Sequence, residues 1–585
     1  MPAPAGAGSG LAGGSFAGRA GQALAGQAGQ RIVGSAGQGG GGQAGQSPAG
    51  TAGQNVDGQA GQGGWAGAES GQGGAGVAGS VGAGAAFVGI PRLVMNPNPN
   101  APLAAMLSLE TDRPTRLTVV VSDGVHVWPH TYDGYRTSHD EVVLGFYPDA
   151  EHTVEVTVTD EAGGEWTYPG HLTGQTPPLP AAFPALETTT LQPDDMEPGV
   201  TLFSLRQGLT DAGYAVIVDP AGDVVWYWYS PLAPVDLRRM STGNLLLNVT
   251  GQRSILELDM LGNAVHEWRA ESDPSVTLPS GVARLETPAT HHEVYETTTA
   301  FLTLSLELKS VAGYPTSETD LTPRTEVVNL GGDVVVEFAR DGTILDQWSL
   351  LEILDPTRVG YGSFDTLQMP ALAEACLDWS HGNAVIPDPR DDTLIVSLRH
   401  QDAVVKFDRS GDIVWILGPH ENWGASFRPY LLTPVAGVAG GPVDEWFWQY
   451  HQHAPMVTPE GTILLFDNGW GRTSPPDPEP PRAEQFSRAV EYAVDEANLE
   501  IRQVWEYGTH LVDRIRAGSV GDADLLTDAD NVLVTFGWLN PPDDAAISAR
   551  IREVTHTTPA SLVFELVAHD RSHVYRAERL PSLYP

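Results

Sequence analysis

A hairpin of one kind recurs along this chain: a strand, a turn of Asp/Gly type, then a strand that ends in tryptophan. It is seen in Ala215–Asp219 with Gly222–Trp226, in Leu256–Asp259 with Gly262–Trp268, and in Val334–Phe338 with Gly342–Trp348. Two further copies run from Val404–Asp408 to Gly411–Trp415 and from Ala489–Asp495 to Gln503–Gly508, the latter around Trp505. An isolated two-stranded hairpin is marginal in water, so a series of them must stack copy on copy. Strand repeats of about 40 to 70 residues are the pattern of a β-propeller, in which each blade buries its faces only against its neighbours. Counting hairpins, with a last blade over Val532–Leu566, predicts six blades. A double-layer sandwich would not need a repeated Trp-terminated hairpin.

Composition divides the rest of the chain. Residues 1–88 are almost wholly Gly, Ala, Gln and Ser, with Arg19, Arg31, Asp57 and Glu69 as the only charges. So few large apolar side chains cannot offset the entropy of ordering the backbone, and the segment is predicted to be a disordered tether. Residues 89–182 alternate in the β manner, as in Arg116–Val121, Glu141–Phe146 and His152–Val158, with Ser122-Asp123-Gly124 and Tyr147-Pro148-Asp149-Ala150 as turns. That spacing predicts a small β-sandwich of fibronectin type III kind, closed off by the Pro-rich connector Gln175–Pro180. Residues 183–585 are left for the propeller. The class is therefore all-β throughout.

The formal charge of −41 repels nucleic acid and anionic membranes, so neither is expected as a partner. One cysteine, Cys376, precludes an intrachain disulfide. No apolar run is long enough to span a bilayer as a helix. Met1-Pro2-Ala3-Pro4 lacks the basic and apolar regions of a signal peptide. Yet a Gly/Ala/Gln tract ahead of an all-β body looks like the tether of a surface lipoprotein. The expectation is an extracytoplasmic protein, periplasmic or on the cell surface, whose signal is missing from this N-terminus. A lipid anchor lost with that signal would be its one link to a membrane.

In a propeller the innermost strand of each blade lines the central channel, so residues at or just before those strands meet near the axis. Four segments qualify: Thr290-His291-His292-Glu293, Trp379–Asn383, Ser397–Gln401 and Tyr450–Ala454. With 17 histidines in the chain some clustering is expected by chance, but His recurs at the same place in three blades. Imidazole and guanidinium groups converging in this way suit an oxyanion that is held and then attacked, which points to group transfer on a sulfate- or phosphate-like ester. The competing reading is a metal centre. His451 and His453 face one side of a strand and His291-His292 could add imidazoles, but Arg399 at the same place would repel a dication. No metal and no cofactor are therefore expected. Ser/His/Asp hydrolysis lacks a nucleophile elbow, and nothing around Cys376 stabilises a thiolate. Trp379, Trp446, Phe447 and Trp448 could stack on an aryl ring; core packing is the plainer role for the last three.

These segments resemble the bacterial arylsulfate sulfotransferase family. The resemblance is carried by Asp378-Trp379-x-His381-x-Asn383, Asp391–Gln401, Trp415-Ile416-Leu417-Gly418, Gln452-His453, Phe466-Asp467-Asn468-Gly469, Ser487-Arg488-x-Val490-Glu491-Tyr492 and His573-x-Tyr575-Arg576-Ala577. It covers roughly residues 185 to 585, with the motifs in order. The resemblance implies an N-terminal β-sandwich and a six-bladed propeller. It also implies transfer of sulfuryl groups from phenolic sulfate esters to phenols, without a nucleotide donor, by a ping-pong cycle through a sulfohistidine. His453 then matches the nucleophile, and His381 and Arg399 match the sulfate-binding pair, with Asn383 and Trp379 as neighbouring substrate contacts. A further histidine maps onto His291-His292, with no choice between the two. The implied partners are small molecules, an aryl sulfate donor and a phenol acceptor, and a homodimer is compatible. The alternatives are a non-catalytic ligand- or partner-binding propeller and a sulfate or phosphate ester hydrolase.

Overall fold

The computed structural model describes residues 86–584, apart from 208–209, 368–374, 438–440, 443–445, 511–513 and 540–547. The tract predicted to be a disordered tether lies outside the described residues, save its last three.

The first domain forms around one long strand. Ala105–Ser122 is 18 residues long and carries Pro114 in its middle, where the ladder register breaks between Glu110 and Thr115. A proline has no N–H to give to the ladder. The two halves accordingly take different partners: Phe87–Met95 and Arg136–Val143 pair with the first half, Val127–Thr131 and Glu151–Asp160 with the second. Leu107 and Leu109 from one half and Leu117, Val119 and Val121 from the other line the same core, with Phe146 and Val156. The strand Glu151–Asp160 alternates buried and exposed, as the sequence does.

Among the described residues the remaining strands make one two-stranded ribbon, Pro315–Ser317 with Asp320–Pro323, and six sheets of four or more. Their middle strands, such as Gly213–Val218, Leu394–Leu398 and Ile463–Asp467, are buried at every position. Both faces of each are covered by neighbouring blades, so these strands read as continuous apolar runs. The innermost strands of blades 2 to 6 are Asp236–Arg239, His291–Glu296, Gly382–Pro387, His453–Val457 and Asp522–Leu526. The innermost strand of blade 1 is Ala577–Leu580, from the far end of the chain, paired with Val200–Arg206. Successive inner strands touch around the axis. Blade 6 in turn takes Leu186–Leu191 as its outermost strand. Both ends of this region thus close the ring.

The recurring tryptophan ties each blade to the next. The indole N–H of Trp226 in blade 1 donates to the carbonyl of Met260 in the turn of blade 2, at 2.9 Å. Trp268 donates to Arg340 at 2.8 Å, Trp348 to Arg409 at 3.0 Å, and Trp505 to Thr557 at 3.1 Å, each across one blade junction. Trp415 uses the side chain of Glu496 instead, at 2.9 Å. The acceptor turns are rigid. Asp219 Oδ1 accepts from the amides of Ala221 and Asp223, Asp259 and Asp408 repeat the pattern, and glycine follows with positive φ, as at Gly262 (75°). A Cβ on Gly262 would also lie 2.7 Å from the Ala101 side chain, because a loop of the first domain seats on this turn. Blade 6 has no tryptophan in its fourth strand Leu562–Ala568. There the Thr188 hydroxyl, on the strand from the other end of the domain, donates to the Ala221 carbonyl at 2.7 Å.

A buried acceptor left without its donor costs about 1–3 kcal/mol. Trp226→Phe should therefore lower the unfolding free energy by at least that amount, and Thr188→Val, at a more open junction, by less. Urea denaturation followed by intrinsic fluorescence measures both. An unchanged midpoint for Trp226→Phe would show that the indole N–H ties nothing.

Candidate active site

Three of the inner strands begin with the same irregularity. The ladder registers shift between His291 and Val294, between Gly382 and Ala384, and between His453 and Met456. Left-handed residues sit at these places: His292 (φ 57°), His381 (46°), His451 (54°) and Ala454 (48°). A bulge of this kind re-aims a side chain out of the strict alternation of a strand. The three bulges bring histidines from blades 3, 4 and 5 to one end of the channel. Left-handed backbone is costly for a residue with a Cβ, and such conformations gather at functional sites.

His453 is buried, and its Nδ1 lies 2.6 Å from Asn468 Oδ1 and 3.1 Å from the carbonyl oxygen of His451. The Asn468 amide is oriented by its own Nδ2, which donates to the carbonyls of Ala517 and Val520, both at 3.0 Å. Both neighbours of His453 Nδ1 are thus acceptors, so Nδ1 carries the proton and Nε2 keeps its lone pair. Burial, and then the nearby Arg399 charge, push the His453 pKa down to about 3. The imidazole is therefore neutral through the physiological range.

Arg399 is buried on a single turn after the strand Leu394–Leu398. Its Nη1 donates to His400 Nε2 at 2.6 Å, and His400 Nδ1 donates to the Asp378 carbonyl at 2.7 Å. That pairing makes His400 a neutral strut with both nitrogens engaged, and burial holds its pKa well below the usual value. No carboxylate lies within ion-pair distance of Arg399 among the described residues, and its Nε is buried without a partner. A buried cation lacking a contact anion is unfavourable by itself and complementary to an incoming oxyanion.

His381 is oriented by Asp378, whose Oδ2 lies 2.6 Å from its Nδ1. Its ring is 4.5 Å from that of His400 and 5.2 Å from that of His292. His291 and His292, between which the motifs offer no choice, differ in what they touch. His291 places Nε2 3.1 Å from Asp333 Oδ1, and its Nδ1 meets His292 Nδ1 at 2.9 Å. Burial pushes the Asp333 carboxyl up, but His291, the Ser380 hydroxyl and the Gly382 amide more than offset this and hold it below the usual range. His292 is the member that faces His381 and Tyr575, its ring centre 6.0 Å from the tyrosine. Burial, then His291 and His381, hold its pKa well below the usual value. Tyr575 closes the cluster from blade 1, 6.3 Å from the His453 ring, its hydroxyl donating to the Asn383 carbonyl at 3.1 Å.

Of the residues expected from sequence, His291, His292, His381, Arg399 and His453 come together. Trp379 does not join them. It is wholly buried in the core and its indole N–H donates to the Arg358 carbonyl at 2.9 Å, which leaves no ring face for a ligand. Asn383 commits its amide nitrogen to the Gln452 carbonyl at 2.7 Å and serves as a tie between blades 4 and 5. Trp446 and Trp448 pack in the core, and Phe447 is exposed against Phe486. Asp378, His400, Asp333, Asn468 and Tyr575 had no role assigned from sequence. Asp378 and Asn468 stand within the quoted motifs, and His400 adjoins Arg399, so adjacency was the available signal. Asp333 had none.

Asp378, His381 and His400 could together approach a metal ion. His400, however, has no free lone pair, and the Arg399 guanidinium stands beside it. The other metal pair is split: His451 turns Nδ1 toward Asp402 at 3.1 Å, while His453 gives its own to Asn468. Burial pushes the Cys376 thiol up to about 11, so it is no nucleophile.

The model of one protein family, arylsulfotransferase (ASST), matches residues 187–576, and that of the arylsulfotransferase Ig-like domain matches residues 92–172. The arylsulfate sulfotransferase AssT of Escherichia coli O6:H1 is 32% identical over 210 residues, which are 30% of this chain and 34% of that protein. The protein of that name from Lelliottia amnigena is 30% identical over the same length and shares. The chain thus spans about a third of the length of the curated relatives it matches. Among solved structures, virginiamycin B lyase from Staphylococcus aureus aligns over 73% of this chain and 92% of its own, at 10% identity and a TM-score of 0.28, a similarity too slight to bear on fold or chemistry.

The depressed histidines link the site to pH. Below about 6.5 an unfolded histidine is charged, whereas His453 stays neutral in the fold down to about 3. The unfolded state then binds more protons, so this residue's contribution falls as pH falls, by about 1.4 kcal/mol per unit between those limits. Comparison with His453→Gln cancels the other titrating groups. From pH 7.5 to 5 the melting temperature of wild type should drop relative to that of the variant; a constant difference would refute the depressed pKa.

Proposed function

The chain belongs to the arylsulfotransferase family, and on that premise we propose that it moves a sulfuryl group from an aryl sulfate ester to a phenolic acceptor, carried in between on His453. The observation that carries this reading is a single juxtaposition. A neutral imidazole with its Nε2 lone pair free stands in the electrostatic field of a buried guanidinium that has no carboxylate partner.

In the first half of the cycle, Nε2 of His453 attacks the sulfur of the donor. The N–S bond forms as the S–O bond to the aryl group breaks, and the electron pair leaves on the phenolic oxygen. Charge on the non-bridging sulfate oxygens is met by Arg399 and His381, which Asp378 and His400 keep in place. The sulfated ring becomes an imidazolium, and its Nδ1–H stays bonded to Asn468. In the second half an acceptor phenol attacks the sulfur, the S–N bond breaks, and the phenolic proton passes to His292. The Asp333–His291 pair stabilises the charge that His292 then carries. His292 returns the proton to the leaving oxygen in the next donor step, so the cycle balances without a cofactor or nucleotide.

A chromogenic aryl sulfate, supplied with and without a phenol, tests the reading. Turnover should depend on the phenol; equal release without it would mean hydrolysis, and none at all a binding module. Brief mixing with donor alone should leave an acid-labile sulfuryl adduct on the peptide containing His453. His453→Ala should lose about a thousandfold or more in rate.

Arg399→Lys keeps the charge but loses the planar fork and its bond to His400, so kcat/KM should fall by about ten- to a hundredfold. Unchanged steady-state kinetics in this variant would make Arg399 structural.

A further inference from the structure

Directly beneath the histidines the channel changes character. Arg576 follows Tyr575 and Glu293 follows His292, and from there the axis is filled with charge. Arg576 Nη1 donates to Asp236 at 2.9 Å and to Glu293 at 3.0 Å, while Arg238 donates to Glu293 at 2.8 Å and lies 3.6 Å from Glu578. With Asp522, 3.4 Å from Arg576 Nε, and Asp524 beside it, two guanidiniums face five carboxylates.

The surplus is concentrated at one place. Asp522 is 2% exposed, and its Oδ2 accepts no hydrogen bond. The Asp524 carboxylate makes neither a hydrogen bond nor an ion pair among the described residues, while its backbone pairs with Leu533 in the ladder. Both aspartates line a cavity of about 190 Å³ on the channel axis, where Arg238 and Arg576 also border it, each held by Glu293. Inner strands run from the histidine end, rising about 3.3 Å per residue, so Pro387 and Val457 carry the cavity toward the opposite mouth. Blades 4 and 5 give it only apolar and proline walls, among them Ile386, Pro455 and Met456, and blade 3 gives Tyr295.

We propose that this cavity binds a small organic cation, a protonated primary amine whose ammonium sits between Asp522 and Asp524 and whose methylenes lie on Ile386, Pro455 and Met456. A hard divalent ion suits it poorly. Calcium wants six to eight oxygens, whereas Asp236, Glu293 and Glu578 are engaged by Arg238 and Arg576, which leaves Asp522 and Asp524. An ammonium needs few acceptors, and the apolar wall accommodates its chain. Without a cation, protons take its place. Burial pushes the Asp522 carboxyl up, and burial together with Asp522 pushes Asp524 well above the ordinary carboxylate range. Arg238, Asp236, Glu293, Glu578 and Arg576 are the other charged groups that face them. Amine binding should therefore release protons and tighten as pH rises.

Thermal unfolding of the whole chain with butylammonium, ethylammonium, sodium or calcium chloride at matched ionic strength tests this. Butylammonium should raise the melting temperature most, and more at pH 8 than at pH 6. Asp524→Asn should lose that increment while leaving the ligand-free melting temperature equal to or above that of wild type, since a surplus charge is gone. Three results would each overturn the proposal: sodium matching butylammonium, calcium exceeding it, or Asp524→Asn retaining the full response. A lowered ligand-free stability in Asp524→Asn would likewise make the residue a structural one.

Discussion

The hydrogen bond from a tryptophan indole to the turn of the next blade is the contact on which this molecule is assembled. A propeller has no single core: each blade is amphipathic on two faces and stable only between neighbours. The indole supplies a large apolar surface for the junction and one directional donor that fixes how far each blade slides against the next. Where the acceptor is a backbone carbonyl, the Asp-capped turn presents it rigidly. At Trp415 it is Glu496, which also joins the buried Lys406 to Asp388 and Asp391, so one junction is electrostatic as well. Relative blade positions decide where inner strands begin, and hence where the histidines meet.

The site depends on that ring in a second way. His453 is bonded to Asn468 of its own blade, but Asn468 is oriented by Ala517 and Val520 at the edge of blade 6. His292 and His291 belong to blade 3, and Asp378, His381, Arg399 and His400 to the approach and turns of blade 4. Tyr575 comes from the segment just before Ala577–Leu580. Each reactive side chain therefore has its proton position set by a hydrogen bond, and most of those partners are buried. This is preorganisation by geometry, with the low dielectric of the channel strengthening every charge–dipole contact within it.

Much of this was legible in the sequence, and the reasons are specific. Five of the six junctions announce themselves through Trp226, Trp268, Trp348, Trp415 and Trp505, because indole is rare and the strand–turn–strand spacing is regular. The sixth junction is not legible: it uses Thr188 and a strand far away in the chain, and neither carries a periodic signal. His291, His292, His381, Arg399 and His453 could be picked out since inner-strand starts converge in any propeller. Trp379 was chosen for its place beside His381 in the motif, and proximity in sequence does not show that its ring is buried with its indole on the Arg358 carbonyl. Asp333 sits in an apolar strand as an unremarked acid, and only its contact with His291 gives it meaning. The five carboxylates of the lower channel are scattered from residue 236 to residue 578 and become a cluster only when the ring closes.

That double closure sets a clock on the protein. Leu186–Leu191 leaves the ribosome well before its partner strand Leu562–Ala568, and Ala577–Leu580 follows later still. Neither the outermost strand of blade 6 nor the innermost strand of blade 1 can pair before then, and such distant pairings are slow to form. Tyr575 and Arg576 lie just before Ala577–Leu580, so the upper cluster and the ionic lower channel are completed together when that strand pairs. Until that segment docks, His453 stands in an open arc of blades, without Tyr575 beside it and without the dry surroundings that keep the imidazole neutral. The histidine cluster is thereby incomplete until strands from both ends of the propeller have paired.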